Sequence, residues 1–223
     1  MKRPKVIIHS SISLDGSLLG FEVDMQQHYQ IAGSYKADIH LIGSNTIKAG
    51  IDMFCPKIPK EKKEDFIKPK RDKNLPFWVI PDTKGKLKGL HHINRRFEFC
   101  RDIIVLVSKS TPEDYLNYLK ERNYDYHIAG EKQVDYTQVL NLLVKQYNAK
   151  TILTDTGKIL NCILLNKGLV DEISLLIHPV IVGKNQYTLL SEIDNNKNLQ
   201  LVRTKVVDKN KLWLVYRIKN KNV

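Results

Sequence analysis

Short apolar runs alternate with amphipathic stretches along this chain. Lys5 to Ser11 (KVIIHSS) is a near-continuous apolar run closed by the turn pair Asp15-Gly16, the pattern of a buried strand. Asp24 stands as a cap ahead of helical spacing through Met25, Tyr29, Ile31 and Ala32, ending near Lys36. Ile39 to Gly43 (IHLIG) predicts a second strand, and Gly43-Ser44-Asn45-Thr46 opens a helix with Asn45 or Ser44 as cap. Residues 51–76 read as a long surface excursion. Phe77 to Ile80 (FWVI) predicts a third strand, stopped at Pro81-Asp82, and Ile103 to Val107 (IIVLV) a fourth.

The second half is more regular. Thr111 caps a helix with Pro112 at its first position and acids in its first turn, running to about Arg122. Tyr126 to Ala129 is a fifth strand. Asp135 caps a helix whose apolar face is Val139, Leu140, Leu142, Leu143 and Val144. Thr151 to Thr154 (TILT) is a sixth strand, followed by the turn Asp155-Thr156-Gly157 and a helix over Lys158 to Lys167 stopped by Gly168. Ile173 to Val182 is a seventh strand. Leu199 to Val207 and Leu212 to Ile218 form a hairpin around Asp208-Lys209-Asn210-Lys211.

Strands alternating with helices predict an α/β fold, three-layer α/β/α, with a mostly parallel central sheet and a C-terminal antiparallel hairpin. A length of 223 residues suits one domain over residues 1–223. Ligands in such sheets sit beyond the carboxyl ends of the strands. That selects the loops Ser13 to Glu22, Gly43 to Lys48, Asp82 to Gly85 and Thr154 to Lys158.

The charge balance adds a partner class. Lys and Arg number 36 against 24 Asp and Glu, a net charge of +12 that favours anionic ligands, although a lysine-rich composition alone produces the same surplus. The surplus concentrates in Lys57 to Lys73 and Lys205 to Lys221, and neither stretch interleaves aromatics as a single-strand platform does. Nucleic acid is therefore not an expected partner. No apolar stretch approaches the roughly 20 residues that span a bilayer, and the N-terminal apolar run is too short for a signal core, so a cytoplasmic protein without membrane contact is expected. Cys55, Cys100 and Cys162 are widely spaced and form no C-x-x-C pair, so reduced thiols are expected and no metal site. The chain lacks G-x-G-x-x-G, the P-loop pattern, H-E-x-x-H, the zinc-deaminase signature and G-x-S-x-G.

Two helix starts carry the remaining chemistry. Gly43, Ser44 and Thr46 offer backbone N–H groups, hydroxyls and a positive helix end. Thr156, Gly157 and Lys158 offer the same with a lysine beside it. Both together fit phosphates of a dinucleotide, while either alone reads first as plain helix capping.

The series S-L-D-G, L-I-G-S-N-T, V-I-P-D-T-K-G-K-L, V-D-Y-T-Q-V-L-N-L-L and T-D-T-G-K-I-L-N-C-I-L-L-N-K-G-L-V-D-E-I-S-L-L-I-H-P-V-I-V-G resembles the reductase domain of the bifunctional riboflavin-biosynthesis deaminase-reductase and its stand-alone relatives, which share the dihydrofolate reductase-like fold. It covers about residues 4–218, and Leu164 to Gly183 is its most specific block. The resemblance implies an NADPH-dependent reductase of a ribosylaminopyrimidine 5′-phosphate, a small phosphorylated heterocycle, and a homodimer. It also implies cofactor contacts at Ile12, Ser13, Gly43, Ser44, Thr46, Thr83 and the run Thr156, Gly157, Lys158, Ile159, Leu160. Asp15, Asp24 and Thr154 are candidates on the substrate side. Asp15 reads either as a turn residue or as a polar group beside the nicotinamide.

Departures from the family pattern are concentrated at one loop. The family carries Glu-Gly-Gly-Gly or Glu-Ala-Gly after the sixth strand; here stand Thr154-Asp155-Thr156-Gly157. Asp155 puts a negative charge where phosphates are expected, unless it points away or pairs with Lys158. The arginines that grip the substrate phosphate in the family are missing from their places, with Lys36, Lys48 or His28 as substitutes. Dihydrofolate reduction needs a buried carboxylate on the first helix. Gln27 falls at that place, and Asp24, one turn earlier, is either a helix cap or that carboxylate after a loop shift. The catalytic proton donor is not identified by sequence, and a reductase of a pteridine or a non-catalytic binding protein on this fold stay open as alternatives.

Overall fold

The computed structural model describes residues 3–219; the last residues of the basic tail, like residues 1–2, lie outside the described residues. Along the chain come β1 (Lys5–Ser13), α1 (Met25–Ser34), β2 (Ile39–Leu41), α2 (Ser44–Phe54), β3 (Phe77–Pro81), α3 (His91–Arg96), β4 (Ile103–Val107), α4 (Glu113–Glu121), β5 (Asp125–Ile128), α5 (Tyr136–Tyr147), β6 (Thr151–Thr154), α6 (Lys158–Asn166), β7 (Glu172–His178), β8 (Leu199–Val207) and β9 (Lys211–Ile218). The fold is α/β, with mostly parallel strands and antiparallel strands at the C-terminus. Two compact units divide it: Ala37–Lys150 with the first residues of the chain, and Lys5–Lys36 with the chain from Thr151 onward.

In the unit of residues 37–150 the strands run parallel in the order β5-β4-β3-β2. All of β4 (IIVLV) is buried, as expected of a parallel strand covered on both faces. Its core packs Ile47 and Ile51 of α2 and Tyr115, Tyr118 and Leu119 of α4 against Ile80, Ile103, Val105 and Val107. Asp135 caps α5 as expected, accepting the N–H groups of Thr137 at 2.9 Å and Gln138 at 3.3 Å. The cap of α4 falls one residue later than expected, on Pro112, because the Thr111 hydroxyl is taken by the Ser108 N–H at 3.0 Å.

Two readings of this unit are corrected. Helix α3 was not expected, and the surface excursion, mostly exposed as read, begins only after α2 and is anchored by ion pairs. α2 continues to Phe54, and the lysine-rich segment is tied down by buried charge. Asp65, 8% exposed, accepts Arg96 at 2.5 Å, and Glu61 accepts Arg122 at 2.7 Å. Arg95 of α3 is 3% exposed and bonds Asp102 at 2.8 Å plus the carbonyls of Asp65, Arg122 and Asn123. A guanidinium can be buried only when its fork of donors is satisfied in this way. Lysine-rich composition hid this, since the anchors are the few acids and arginines interleaved with it.

In the other unit β6, β1 and β7 are parallel and β7, β9 and β8 antiparallel, in the order β6-β1-β7-β9-β8. β1 is buried from Val6 to Ser13, two residues longer than its apolar run, because Ile12 and Ser13 continue the ladder to Ile177 and His178. β7 stops at His178 rather than Val182: Pro179 has no N–H to donate, and residues 180–183 turn away to meet the loop after β1. The hairpin forms as expected, with Asp208 and Lys209 both at positive φ (48° and 63°), the backbone of a tight primed turn. Ile31, Leu176, Trp213 and Val215 pack the core that seats α1 on this sheet.

Candidate functional site

The carboxyl ends of β1, β6 and β7 lie in one unit, with Ser13, Asp15, Thr154 and Asp155 in it. Ser13 donates to Asp15 at 2.5 Å and accepts the Ser17 N–H at 2.9 Å. Asp15 also accepts the N–H groups of Val182 at 3.2 Å and Gly183 at 2.8 Å. The Ser13 hydroxyl first, and then the Gly183 N–H, hold the Asp15 carboxyl down at about 2. The geometry thus makes Asp15 the clasp between the loops after β1 and β7. Ile12 and Ser13 are buried, 7% and 0% exposed.

The β6–α6 loop is built around Asn161. Its side-chain oxygen accepts the Thr154 hydroxyl at 2.7 Å, and its amide donates to the Thr156 carbonyl at 3.0 Å. Thr154, a substrate candidate, is 0% exposed, and its hydroxyl is spent on Asn161 of α6. Gly157 caps α6 with no side-chain hydrogen bond. The first-turn N–H groups of Lys158, Ile159 and Leu160 have no acceptor within the helix, which leaves a donor edge suited to an anion. The Lys158 ammonium is engaged elsewhere, 2.9 Å from Glu192 and 4.7 Å from the Tyr187 ring centre.

Asp155 meets a partner that the sequence did not suggest. Its partner is His28 of α1, with Nε2 3.1 Å from Oδ2, and not Lys158. The other ring nitrogen of His28 lies 2.9 Å from the Ser11 hydroxyl. Burial works against the charged imidazole, yet the Asp155 carboxylate outweighs it and the His28 pKa stands above its ordinary value. Beneath it, His9 Nε2 meets the His28 carbonyl at 3.2 Å, His9 Nδ1 meets Ser174 at 3.0 Å, and Trp213 donates to Ser174 at 2.9 Å. Burial and then the His28 charge push His9 down to about 4, so this ring is neutral.

Asp24 is the N-cap of α1. It accepts the Gln27 N–H at 3.0 Å, and its second oxygen accepts Lys211 at 2.6 Å. The Gln27 N–H and then Lys211 keep its pKa below the usual carboxylate value. A carboxylate held this way stays ionised, unlike the proton-assisting acid that dihydrofolate reduction requires.

In the unit of residues 37–150, Gly43 caps α2 without a side-chain bond, so the cap is neither Ser44 nor Asn45 as expected. Ser44 and Thr46 sit half-buried in the first turn, and Lys86 donates to the Asn45 side chain at 2.7 Å. Thr83 is half-buried beside Asp82, whose carboxylate accepts the N–H groups of Lys86 and Leu87 and the Tyr115 hydroxyl at 3.0 Å. His91 Nε2 closes that network on Tyr115 at 2.7 Å. Lys48, a substitute for a phosphate-gripping arginine, instead pairs with Asp52 at 2.5 Å.

Sequence reading named Thr154 but missed Asn161, the residue that shapes its loop. The available signal was an Asn one turn into an otherwise apolar helix, where burial demands a polar partner.

The family described as the RibD C-terminal domain matches residues 4–212. A 2,5-diamino-6-ribosylamino-4(3H)-pyrimidinone 5′-phosphate reductase of Aquifex aeolicus (strain VF5) is 25% identical over 183 residues, 82% of this chain and 80% of the relative. A crystal structure of a pyrimidine reductase-like protein from Corynebacterium diphtheriae superposes with a TM-score of 0.74 at 16% identity, covering 98% of this chain and 93% of the other. Dihydrofolate reductase from Enterococcus faecalis, complexed with NADP(H), superposes with a TM-score of 0.51 at 10% identity, covering 97% of each chain. The S-L-D-G turn clasped by Asp15, the Gly-capped helices α2 and α6 and the G-L-V-D-E turn into β7 are thus features of a chain that belongs to the RibD C-terminal domain family.

Proposed function

We propose that this chain is an NADPH-dependent reductase of a ribosylaminopyrimidine 5′-phosphate in riboflavin biosynthesis. The family match and the reductases among its relatives support the reaction class. The observation that carries the cofactor is the Gly157 cap of α6, in the unit that also holds Ile12 and Ser13. Gly43 and Gly157 start their helices with no side-chain cap bond, where Ser, Thr, Asp or Asn would ordinarily occupy the first-turn donors. That donor set fits phosphate groups.

In this reading Thr156 and Gly157 with the N–H groups of Lys158, Ile159 and Leu160 hold a pyrophosphate oxygen. Gly43, Ser44 and Thr46 hold a phosphate at α2, Thr83 borders the adenosine, and Ile12 and Ser13 form the wall against the nicotinamide. When bound, the cofactor supplies a hydride for the opened ribose carbon of the substrate. The chain's own part is to orient both ligands and keep water out. The buried floor of Ile12, Ser13 and Thr154 does the second, and the Asp15 clasp fixes the loop that does the first. The family match runs through both compact units, which supports reading the chain as one domain. A homodimer in the cytoplasm completes the proposal. Among the described residues no helix is long and apolar enough to cross a membrane.

Loss of NADPH absorbance on adding the ribosylaminopyrimidine phosphate, giving the ribitylamino product, tests the reading. A protein that binds NADPH but turns over only dihydrofolate would move the assignment to a pteridine. The Asp24 ion pair with Lys211 argues against that outcome.

A further inference from the structure

The acid in the T-D-T-G loop is a difficulty for any polyanion at α6. A carboxylate a few ångströms from a phosphate repels it unless a cation stands between or beside them. Lys158 is not that cation, because Glu192 and the Tyr187 ring hold it. His28 reaches Asp155 instead, from the neighbouring helix α1. Its side chain is 6% exposed against 29% for Asp155, so the positive partner is the more deeply buried of the two.

We propose that His28 is a positioning residue for phosphate binding, a buried counter-charge that neutralises Asp155 so that the adjoining α6 N-terminus accepts a nucleotide phosphate. This rests on the functional reading above for the identity of the ligand. The surroundings suit an imidazolium. Nε2–H has the Asp155 carboxylate as acceptor and Nδ1–H has the Ser11 oxygen, so both protons are placed.

The groups that face His28 are compatible with that charge. His9 on β1 lies tilted against His28 at 4.5 Å between ring centres and is held neutral: its Nε2–H donates to the His28 carbonyl while Ser174, itself held by Trp213, meets its other nitrogen. His178 on β7 is pushed towards its neutral form, by burial first and then by Lys211. Lys211 from the hairpin is already paired with Asp24 and Asp208. Tyr29, beside it on α1, has its ionisation pushed up to about 12 by burial and by Asp155. Asp155 is thus the acid paired with His28 in this cluster.

The test uses the full chain and two readouts. NMR titration of the His28 ring in the absence of ligand should show a pKa above the ordinary ~6.5 in the wild type, falling in Asp155→Asn. Fluorescence titration of NADPH should show His28→Gln binding on the order of tenfold more weakly than the wild type, with affinity restored in the double variant H28Q/D155N. A purely structural role for His28 would not be rescued by removing the acid. Should H28Q not fold, D155N alone decides. Its NADPH affinity relative to the wild type should rise as the pH is raised through the His28 pKa measured by NMR, because the wild type then loses the counter-charge to Asp155.

Equal affinity of wild type, D155N and H28Q, or an unshifted His28, overturns the inference. A wild type that binds no NADPH overturns the functional reading and the ligand half of this one, while the NMR titration still decides the charge pair.

Discussion

Asn161 on α6 accepts the Thr154 hydroxyl at 2.7 Å and returns a hydrogen bond to the Thr156 carbonyl at 3.0 Å, so one buried side chain sets both ends of the β6–α6 loop. Asn161→Ala removes the acceptor of the buried Thr154 hydroxyl and one donor to the Thr156 carbonyl. It should cost about 2–4 kcal/mol of stability, from one to two unsatisfied groups, measured by urea denaturation. NADPH affinity in the proposed site should fall with it, since the α6 donor edge depends on that loop.

Arg95 and Asp102 form a 2.8 Å ion pair with side chains 3% and 9% exposed. Removing one partner strands the other. Asp102→Ala should therefore cost about 3–5 kcal/mol, read as a lower denaturant midpoint. Burial first pushes the Asp102 pKa up, and Arg95 opposes it, so the pair is a balance of two large effects rather than a simple gain. Exchanging Arg95 for Met together with Asp102 for Leu should recover much of the loss, as replaced buried pairs commonly do.

Stability should fall as the solution is made acid from neutrality. Burial, and then the His28 charge, holds His9 near 4, while burial and then Arg95 hold His91 near 3. Both are depressed bases, so below about pH 6.5 the unfolded chain takes up protons that the folded chain refuses. Stability is complete above that value and declines as pH falls towards the folded values. By about pH 5 each ring should account for a loss on the order of 2 kcal/mol. His28 works in the opposite sense, since its raised value favours the folded state at low pH and that contribution fades as pH rises. Denaturant midpoints compared at about pH 7.5 and pH 5 check the direction.

Much of the architecture was legible in the sequence because it rests on local signals. Asp24 and Asp135 cap where polar-then-apolar spacing put them, Gly168 ends α6 with a positive φ of 66°, and the Asp208-Lys209 turn closes the hairpin. Errors fell where tertiary contacts override local pattern. Helix α3 has only six residues, and its identity lies in Arg95 finding Asp102 and three distant carbonyls. β7 was drawn four residues too long because V-I-V continues the apolar run, whereas Asp15 pulls Val182 and Gly183 into another loop. At the candidate site, the starts of α2 and α6 followed from the motifs but the α2 cap did not, since Gly43 and neither Ser44 nor Asn45 takes that place. The partner of Asp155 did not follow from them either, since the nearest lysine in sequence was the natural choice and the histidine that meets it is 127 residues away along the chain (155 minus 28).

The central claim is that this chain holds NADPH, and a fluorescence titration with NADPH, run beside NADH, tests it most directly. Micromolar binding of NADPH with weaker binding of NADH is the predicted result, the difference reporting the 2′-phosphate. Absence of binding by either nucleotide would contradict the account and leave the two glycine-capped helix ends without the ligand proposed for them.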